Sequence, residues 1–158
     1  MIHHSAADFA TALPHGGRLM ALDLGTKTIG IAFCDAQWHF ASPYRTLART
    51  KLSKDRPLLA EIIGAQEIKG LVIGHPINMD GSDSARAQAS RAYARELQTL
   101  GLPILLWDER LSTQAVARTM IEADLSRAKQ AARIDAHAAA HILQGAIDAL
   151  AHLPRPAN

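Results

Sequence analysis

The chain has 158 residues, 48% of them hydrophobic and 20% charged, with one cysteine and a formal net charge of +2. That length sustains one domain with a sizeable core, and the composition excludes disorder, collagen-like repeats and a disulfide scaffold. Aromatic residues make up only 4%, which leaves the core to Leu, Ile, Val and abundant Ala.

Residues 1–17 show no sustained period, end in Pro14, Gly16 and Gly17, and read as a mobile tail carrying His3, His4 and His15. They lack the basic start and continuous apolar stretch of a signal peptide. No apolar run approaches the ~20 residues of a membrane helix. The expectation is a cytoplasmic protein with no membrane partner. Cys34 cannot form an internal disulfide, fits a reducing compartment and reads as a small core side chain.

From Arg18 the pattern sharpens. Leu19–Leu24 is an apolar run broken by Asp23, the turn Gly25-Thr26-Lys27-Thr28 follows, and residues 29–34 alternate with period two. This predicts an antiparallel hairpin. A third strand is expected over His39–Leu47, with Pro43 confining it to an edge. Pro57 is expected to open a helix, and Leu71–Gly74 to form a short buried strand.

Ser82 or Asp83 is positioned to cap a helix to about Leu100, with Ala85, Ala89, Ala92 and Leu97 inward and Arg91 and Arg95 outward. Its arginines, Arg86 included, read as a solvated face, as does the later cluster Arg118, Arg127, Lys129 and Arg133. Ile104–Trp107 is a further strand ending in Asp108-Glu109-Arg110. Ser112 or Thr113 then caps a helix through about Ala123, and Ile134-Asp135 starts a long helix to Leu150. The result is an α/β domain over residues 18–150, a three-layer fold with a five-stranded mixed sheet and helices on both faces, followed by a tail at 151–158.

Acidic residues in apolar strands need a reason, because an unpaired buried carboxylate is costly. Asp23 lies inside the first strand, Asp108 and Glu109 end the last strand, and Asp135 heads the final helix among Ala and Ile. If these ends converge, the carboxylates either shift their pKa values upward or bind a cation. An oxygen-only donor set favours magnesium or manganese over zinc. Blander roles remain open: Asp135 as a helix cap, and Asp108 and Glu109 as surface partners of Arg110 or Arg118. His137 and His141, four apart without a flanking Glu motif, read as partly exposed helix residues rather than a metal pair.

Four segments, LDLGTKTIGIAFCD (22–35), LVIGHPINMDGSDSARAQ (71–88), LWDERLST (106–113) and IDAHAAAHILQ (134–144), resemble in order and spacing the YqgF/RuvX proteins. The resemblance spans about Arg18 to Leu150 and implies an RNase H-like fold related to Holliday-junction resolvases. It implies a metal-dependent nuclease acting near the 5′ end of precursor 16S rRNA during maturation of the small ribosomal subunit. It places catalytic, metal-binding carboxylates at Asp23, Glu109 and Asp135. Two Mg²⁺ or Mn²⁺ ions are then expected, with Asp23 between them and Glu109 and Asp135 on either side. Lys27 and Arg110 are expected to neutralise the scissile phosphate, with Thr26 and Ser112 as lesser donors, and the Asn78–Ser82 turn to offer backbone N–H groups to a second phosphate.

The sequence departs from the family pattern at His75, where Leu is usual, and at Asp83-Ser84, where a small residue is usual. Neither change removes a proposed ligand. Three other functions fit parts of the pattern. A branched-DNA resolvase needs two active sites in a homodimer, and the sequence leaves monomer and homodimer open. Asp23-Leu24-Gly25-Thr26 also looks like the first phosphate loop of sugar kinases and actin-like ATPases, which need a second related domain. A non-catalytic, ribosome-associated RNA-binding module has no use for three acids, since phosphate binding alone favours cations.

Overall fold

The computed structural model describes residues 1–14, 16–111 and 127–153, with the side chains of 127–135 left out of the description. The expected helix from Ser112 or Thr113 to Ala123 and the proposed donor Ser112 lie outside the described residues. The described elements, in chain order, are β1 (Ile2–His3), α1 (Ala6–Ala12), β2 (Arg18–Leu24), β3 (Thr28–Cys34), β4 (Ala41–Ala48), α2 (Leu52–Gln66), β5 (Ile68–His75), α3 (Ala85–Leu97), β6 (Ile104–Asp108) and α4 (Arg127–Ala151). Short 3-10 turns follow α3 and β6, over Gln98–Leu100 and Glu109–Leu111.

The sheet runs β1-β6-β5-β2-β3-β4. β2, β3 and β4 form the expected antiparallel meander, whereas β2, β5, β6 and β1 are parallel. Parallel strands require crossovers, which place helices on the sheet faces. Period-two alternation in β2 divides the core in two. Met20, Leu22 and Leu24 face a cluster with Leu59 and Ile62 of α2 and Tyr93, Ala94 and Leu97 of α3. Leu19 and Ala21 face the opposite cluster, with Phe9 of α1 and Ile142, Leu143, Ala146 and Ile147 of α4. Asp23 continues the Leu19–Ala21 series and therefore belongs to the α4 face.

Several boundaries differ from expectation. The sheet has six strands, because residues read as a mobile tail form β1 beside β6 and the helix α1. Ser5 caps α1 by accepting the Asp8 N–H, and Phe9 is fully buried. One aromatic anchor and one cap fix a segment whose overall composition has no period. α2 begins before Pro57, which lies inside the helix. The buried Asp55 carboxylate holds that start by accepting from the Thr50 N–H (3.0 Å) and hydroxyl (2.6 Å).

α3 is capped by Ser84, whose hydroxyl accepts the Ala87 N–H. Its buried face is Ala87, Ser90, Tyr93, Ala94 and Leu97, leaving Ala85, Ala89 and Ala92 exposed. In an alanine-rich helix the single large pair Tyr93–Leu97, at i and i+4, sets the rotation. α4 already runs from Arg127, so Asp135 sits inside the helix rather than at its head. That removes the capping role for it. Pro43 does lie on an edge strand, β4, beside a register shift at Ile31–Ala32.

Because Phe9 is buried at 0% exposure against α4 and β6, Phe9→Ala should lower the unfolding free energy by about 3–5 kcal/mol. Urea unfolding of the full chain measures this. A loss below about 1 kcal/mol would place Phe9 outside the core.

Candidate active site

Asp23 is 1% exposed, one residue before the end of β2. Its neighbours on the same sheet face are cleared of side chains. Across β3 it pairs with Gly30, and on the β5 side it lies one step beyond the last paired residues, Leu22 and Ile73, level with Gly74. Glu109 immediately follows β6 and is half-buried. Its carboxylate lies over Gly74: a Cβ built there would sit 2.8 Å from Glu109 Oε1 and 2.7 Å from Cδ1 of Ile142 in α4. Gly74 thus brings Asp23, Glu109 and the Ile142 turn of α4 to one place, and two of the three expected carboxylates share it.

The third, Asp135, lies seven residues before Ile142 in α4. Its side chain is outside the description. Among the described residues no three His, Cys, Asp or Glu side chains form a metal-holding group. The donor set that is present, two carboxylates over a glycine floor, is the oxygen chemistry that a hard divalent cation takes. His137 and His141 are half-buried in α4, and burial pushes the His141 imidazole pKa down, with His137 adding to the effect.

Arg110, expected on the phosphate, is engaged by Asp108 through Nε (3.0 Å) and Nη2 (2.7 Å). That bonding holds the Asp108 carboxyl below its ordinary range and raises the Arg110 guanidinium. Asp108 therefore orients Arg110, which agrees with its reading as a surface partner. Thr26 and Lys27 are exposed in the β2–β3 turn, and the Lys27 carbonyl accepts the Arg49 N–H at 2.8 Å.

Sequence reasoning put Arg86 on a solvated helix face and gave it no part in the site. Its Nη2 donates to the Leu24 carbonyl at 3.0 Å and stands 4.0 Å from Asp23 Oδ1. Arg49 Nη1 makes the matching bond to the Gly25 carbonyl at 2.7 Å. The available signal was position: Arg86 lies in the first turn of a helix that follows the β5 loop, and although exposed its guanidinium reaches the end of β2. The Asn78–Ser82 turn closes on itself, with Asp80 accepting both the Ser82 N–H and hydroxyl and Asn78 accepting the Gly81 N–H. Gly81, at φ +85°, supplies the left-handed residue that the turn needs.

His75, in place of the usual Leu, is buried at the end of β5 opposite Asp108. Its Nε2 meets Arg91 Nη1 at 3.0 Å, and Arg91 also binds Asp83, the other departure from the family pattern. The two departures are coupled through one arginine. Burial, then Arg91 and His4, push the His75 pKa down. Cys34 is buried and accepts the Leu19 N–H at 3.3 Å, and burial pushes its thiol up to about 11, as suits a core side chain.

The mixed sheet thus carries one carboxylate on the central strand β2 and a second just past β6, two strands away, with helices on both faces. The sequence profile of the family described as "RuvX: Holliday junction resolvase" matches residues 17–149, and the chain belongs to that family. It is 62% identical over 150 residues to a protein of Sphingopyxis alaskensis named "Putative pre-16S rRNA nuclease", covering 95% of this chain and 99% of that one. A protein of the same name from Novosphingobium aromaticivorans is 59% identical, covering 96% and 97%. Thermus thermophilus RuvC, solved in complex with a Holliday junction substrate, shares the fold at TM-score 0.54 and 11% identity, over 86% of this chain and 96% of that one. The chain is a hydrolase of the nuclease class. No helix among the described residues is long and apolar enough to cross a membrane.

Two predictions follow from the geometry. Gly74→Ala places a methyl group against the movable ends of Glu109 and Ile142, so stability should fall by no more than about 1–3 kcal/mol. Nuclease activity should fall at least tenfold, and unchanged activity would separate Glu109 from the site. For His75 the folded pKa lies below the unfolded value of about 6.5. Below that pH the unfolded chain binds the extra proton, so stability is full above pH ~6.5 and declines as pH falls towards the folded pKa. Melting curves between pH 7.5 and 5 should therefore decline less steeply for His75→Leu than for the wild type.

Proposed function

We propose that the chain cleaves phosphodiester bonds of precursor 16S rRNA at its 5′ side, with Asp23, Glu109 and Asp135 as the catalytic, metal-holding carboxylates. The observation that carries this reading is the buried Asp23 carboxylate, level in register with Gly74, the glycine over which the Glu109 carboxylate lies. A carboxylate 1% exposed is tolerated only with compensating charge or hydrogen bonds, and a second carboxylate nearby favours a bound cation. Asp135 precedes Ile142 by seven residues, about two turns of the same helix. Oxygen ligands alone favour Mg²⁺ or Mn²⁺. Bound there, such ions supply Lewis-acid stabilisation of phosphate charge and an activated water.

The chain's own groups bind and orient the RNA. Lys27 and Thr26, exposed in the turn after β2, offer a cation and a lesser hydroxyl donor to the scissile phosphate. Arg110 is held by Asp108 in one orientation, which lowers the entropy lost when its remaining donors engage a phosphate. Arg86 offsets the Asp23 charge while the site holds no cation. Ser112 is a further hydroxyl donor in this proposal. Its near relatives carry the pre-16S rRNA name along their whole length, which supports RNA over branched DNA as the substrate. The small ribosomal subunit under assembly is then its place of action, in the cytoplasm.

The test is Mn²⁺-supported cleavage of 5′-extended 16S precursor RNA beside a four-way DNA junction, with product ends mapped. Asp23→Asn, Glu109→Gln and Asp135→Asn should each abolish cleavage with unchanged circular dichroism, because an amide keeps the shape and loses the charge that a hard cation requires. A double variant should be little worse than either single one. Cleavage of the junction alone would shift the substrate to branched DNA. Undiminished cleavage by Asp23→Asn would remove the site assignment.

A further inference from the structure

We infer that the edge strand β4 and the turn leading into it form a track for single-stranded RNA running from the Phe40 turn to the mouth of the active site; this rests on the nuclease reading above. Between Asp35 and Asp55 the chain carries no acid, only His39, Arg45, Arg49, Lys51 and Lys54 among its titratable groups besides Tyr44. The same stretch holds two of the protein's exposed large hydrophobic residues, Phe40 at 75% and Tyr44 at 43%. Tyr44 and Arg45 lie on β4 itself, Phe40 just before it and Arg49 just after it, and exposed rings with cations nearby take the bases and phosphates of an unpaired chain together.

The Tyr44 ring is packed between partners, while Phe40 is displayed on a turn whose backbone is fixed. Tyr44 stacks on Phe33 at 4.5 Å between centroids, with Arg45 over its ring at 5.6 Å and Arg18 over Phe33 at 5.0 Å. The Phe40 turn is fixed from both ends. Asp35 turns its carboxylate inward to accept the N–H groups of Gln37, His39 and Phe40. Gln144 of α4 accepts from the Ala41 N–H and donates to the His39 carbonyl. Inside the turn Trp38 adopts φ +60°, a conformation rare for a bulky residue, and its indole N–H donates to the Gly17 carbonyl at 2.7 Å. A strained turn held by this many bonds, with an aromatic ring displayed at its tip, is a built feature.

Its other end reaches the active site. β4 spans eight residues, about 27 Å at strand rise, and Arg49 just beyond it binds the Lys27 carbonyl through its N–H and the Gly25 carbonyl through Nη1. Pro43, the register shift beside it and the charge of Arg45 oppose pairing of this edge with a second copy of the chain.

The experiment is fluorescence anisotropy of the full chain with a labelled single-stranded RNA of about 12 nucleotides, within the usual span of such sites. Chelator keeps divalent ions away, so no cleavage intervenes. Phe40→Ala should weaken binding at least about fivefold and Phe40→Trp should restore it. Arg45→Ala should reduce the salt slope by about 0.7. Phe40 and Arg45 are exposed, so urea midpoints should stay unchanged.

Wild-type affinity and slope in both alanine variants would overturn the track while leaving the nuclease reading intact. An effect of Phe40→Ala on sedimentation but not on RNA binding would assign the face to a second copy and overturn it equally. Binding that depends on Phe40 and Arg45 in a protein unable to cleave precursor RNA would support the track and remove the nuclease reading.

Discussion

A carboxylate buried at the middle of a sheet sets the terms for the rest of this molecule. Asp23 is 1% exposed on a strand whose other residues are apolar, and placing it there is tolerable only with compensating charge or hydrogen bonds close by. The surrounding composition follows from that requirement. Gly30 beside it and Gly74 on the other flank leave room for polar groups, and Ala21 and Ala32 let α4 approach the same sheet face. The α4 face answers with Ala139, Ile142 and Ala146. Small residues here are therefore a consequence of the site rather than of weak packing: larger ones would fill the space between Asp23, Glu109 and the helix.

Electrostatic order extends outward from the same point. Two arginines from distant parts of the chain bond to successive carbonyls, Arg86 to Leu24 and Arg49 to Gly25. Together they fix the direction in which β2 leaves the sheet and keep positive charge near Asp23 without a lysine's freedom of movement. On the other side Asp108 holds Arg110. The result is a central negative spot bordered by oriented cations.

How far this was legible in the sequence depended on how locally each feature is determined. The hairpin, the edge position of Pro43 and the unusual status of Asp23 follow from period-two patterning and from the cost of a buried charge, and each agrees with the structure. The rotation of α3 did not follow, because alanines at every third or fourth position mark no preferred face and the deciding residues were Tyr93 and Leu97. Nor did the role of Arg86. An arginine on a helix looks solvated until the sheet beneath it is known, and its contact with Leu24 lies 62 positions away in the chain. Phe9 was equally invisible: one buried ring in a polar segment leaves no periodic trace.

That N-terminal segment has a structural bearing on Glu109. β6 is short, Ile104–Asp108, and without β1 it would be the sheet's outer strand. Ile2 and His3 pair with Ile104 and Leu105, and the Ile104 N–H donates to the Met1 carbonyl at 3.0 Å. Phe9 then closes the α4 side against Leu105 and Trp107. An edge strand frays more readily than a paired one, and Glu109 is carried on the residue immediately after β6. The cheapest way to hold that carboxylate over Gly74 is to give β6 a neighbour on both sides and a ring beneath it. The first dozen residues do this, which makes them part of the scaffold of the site despite their distance from it in sequence.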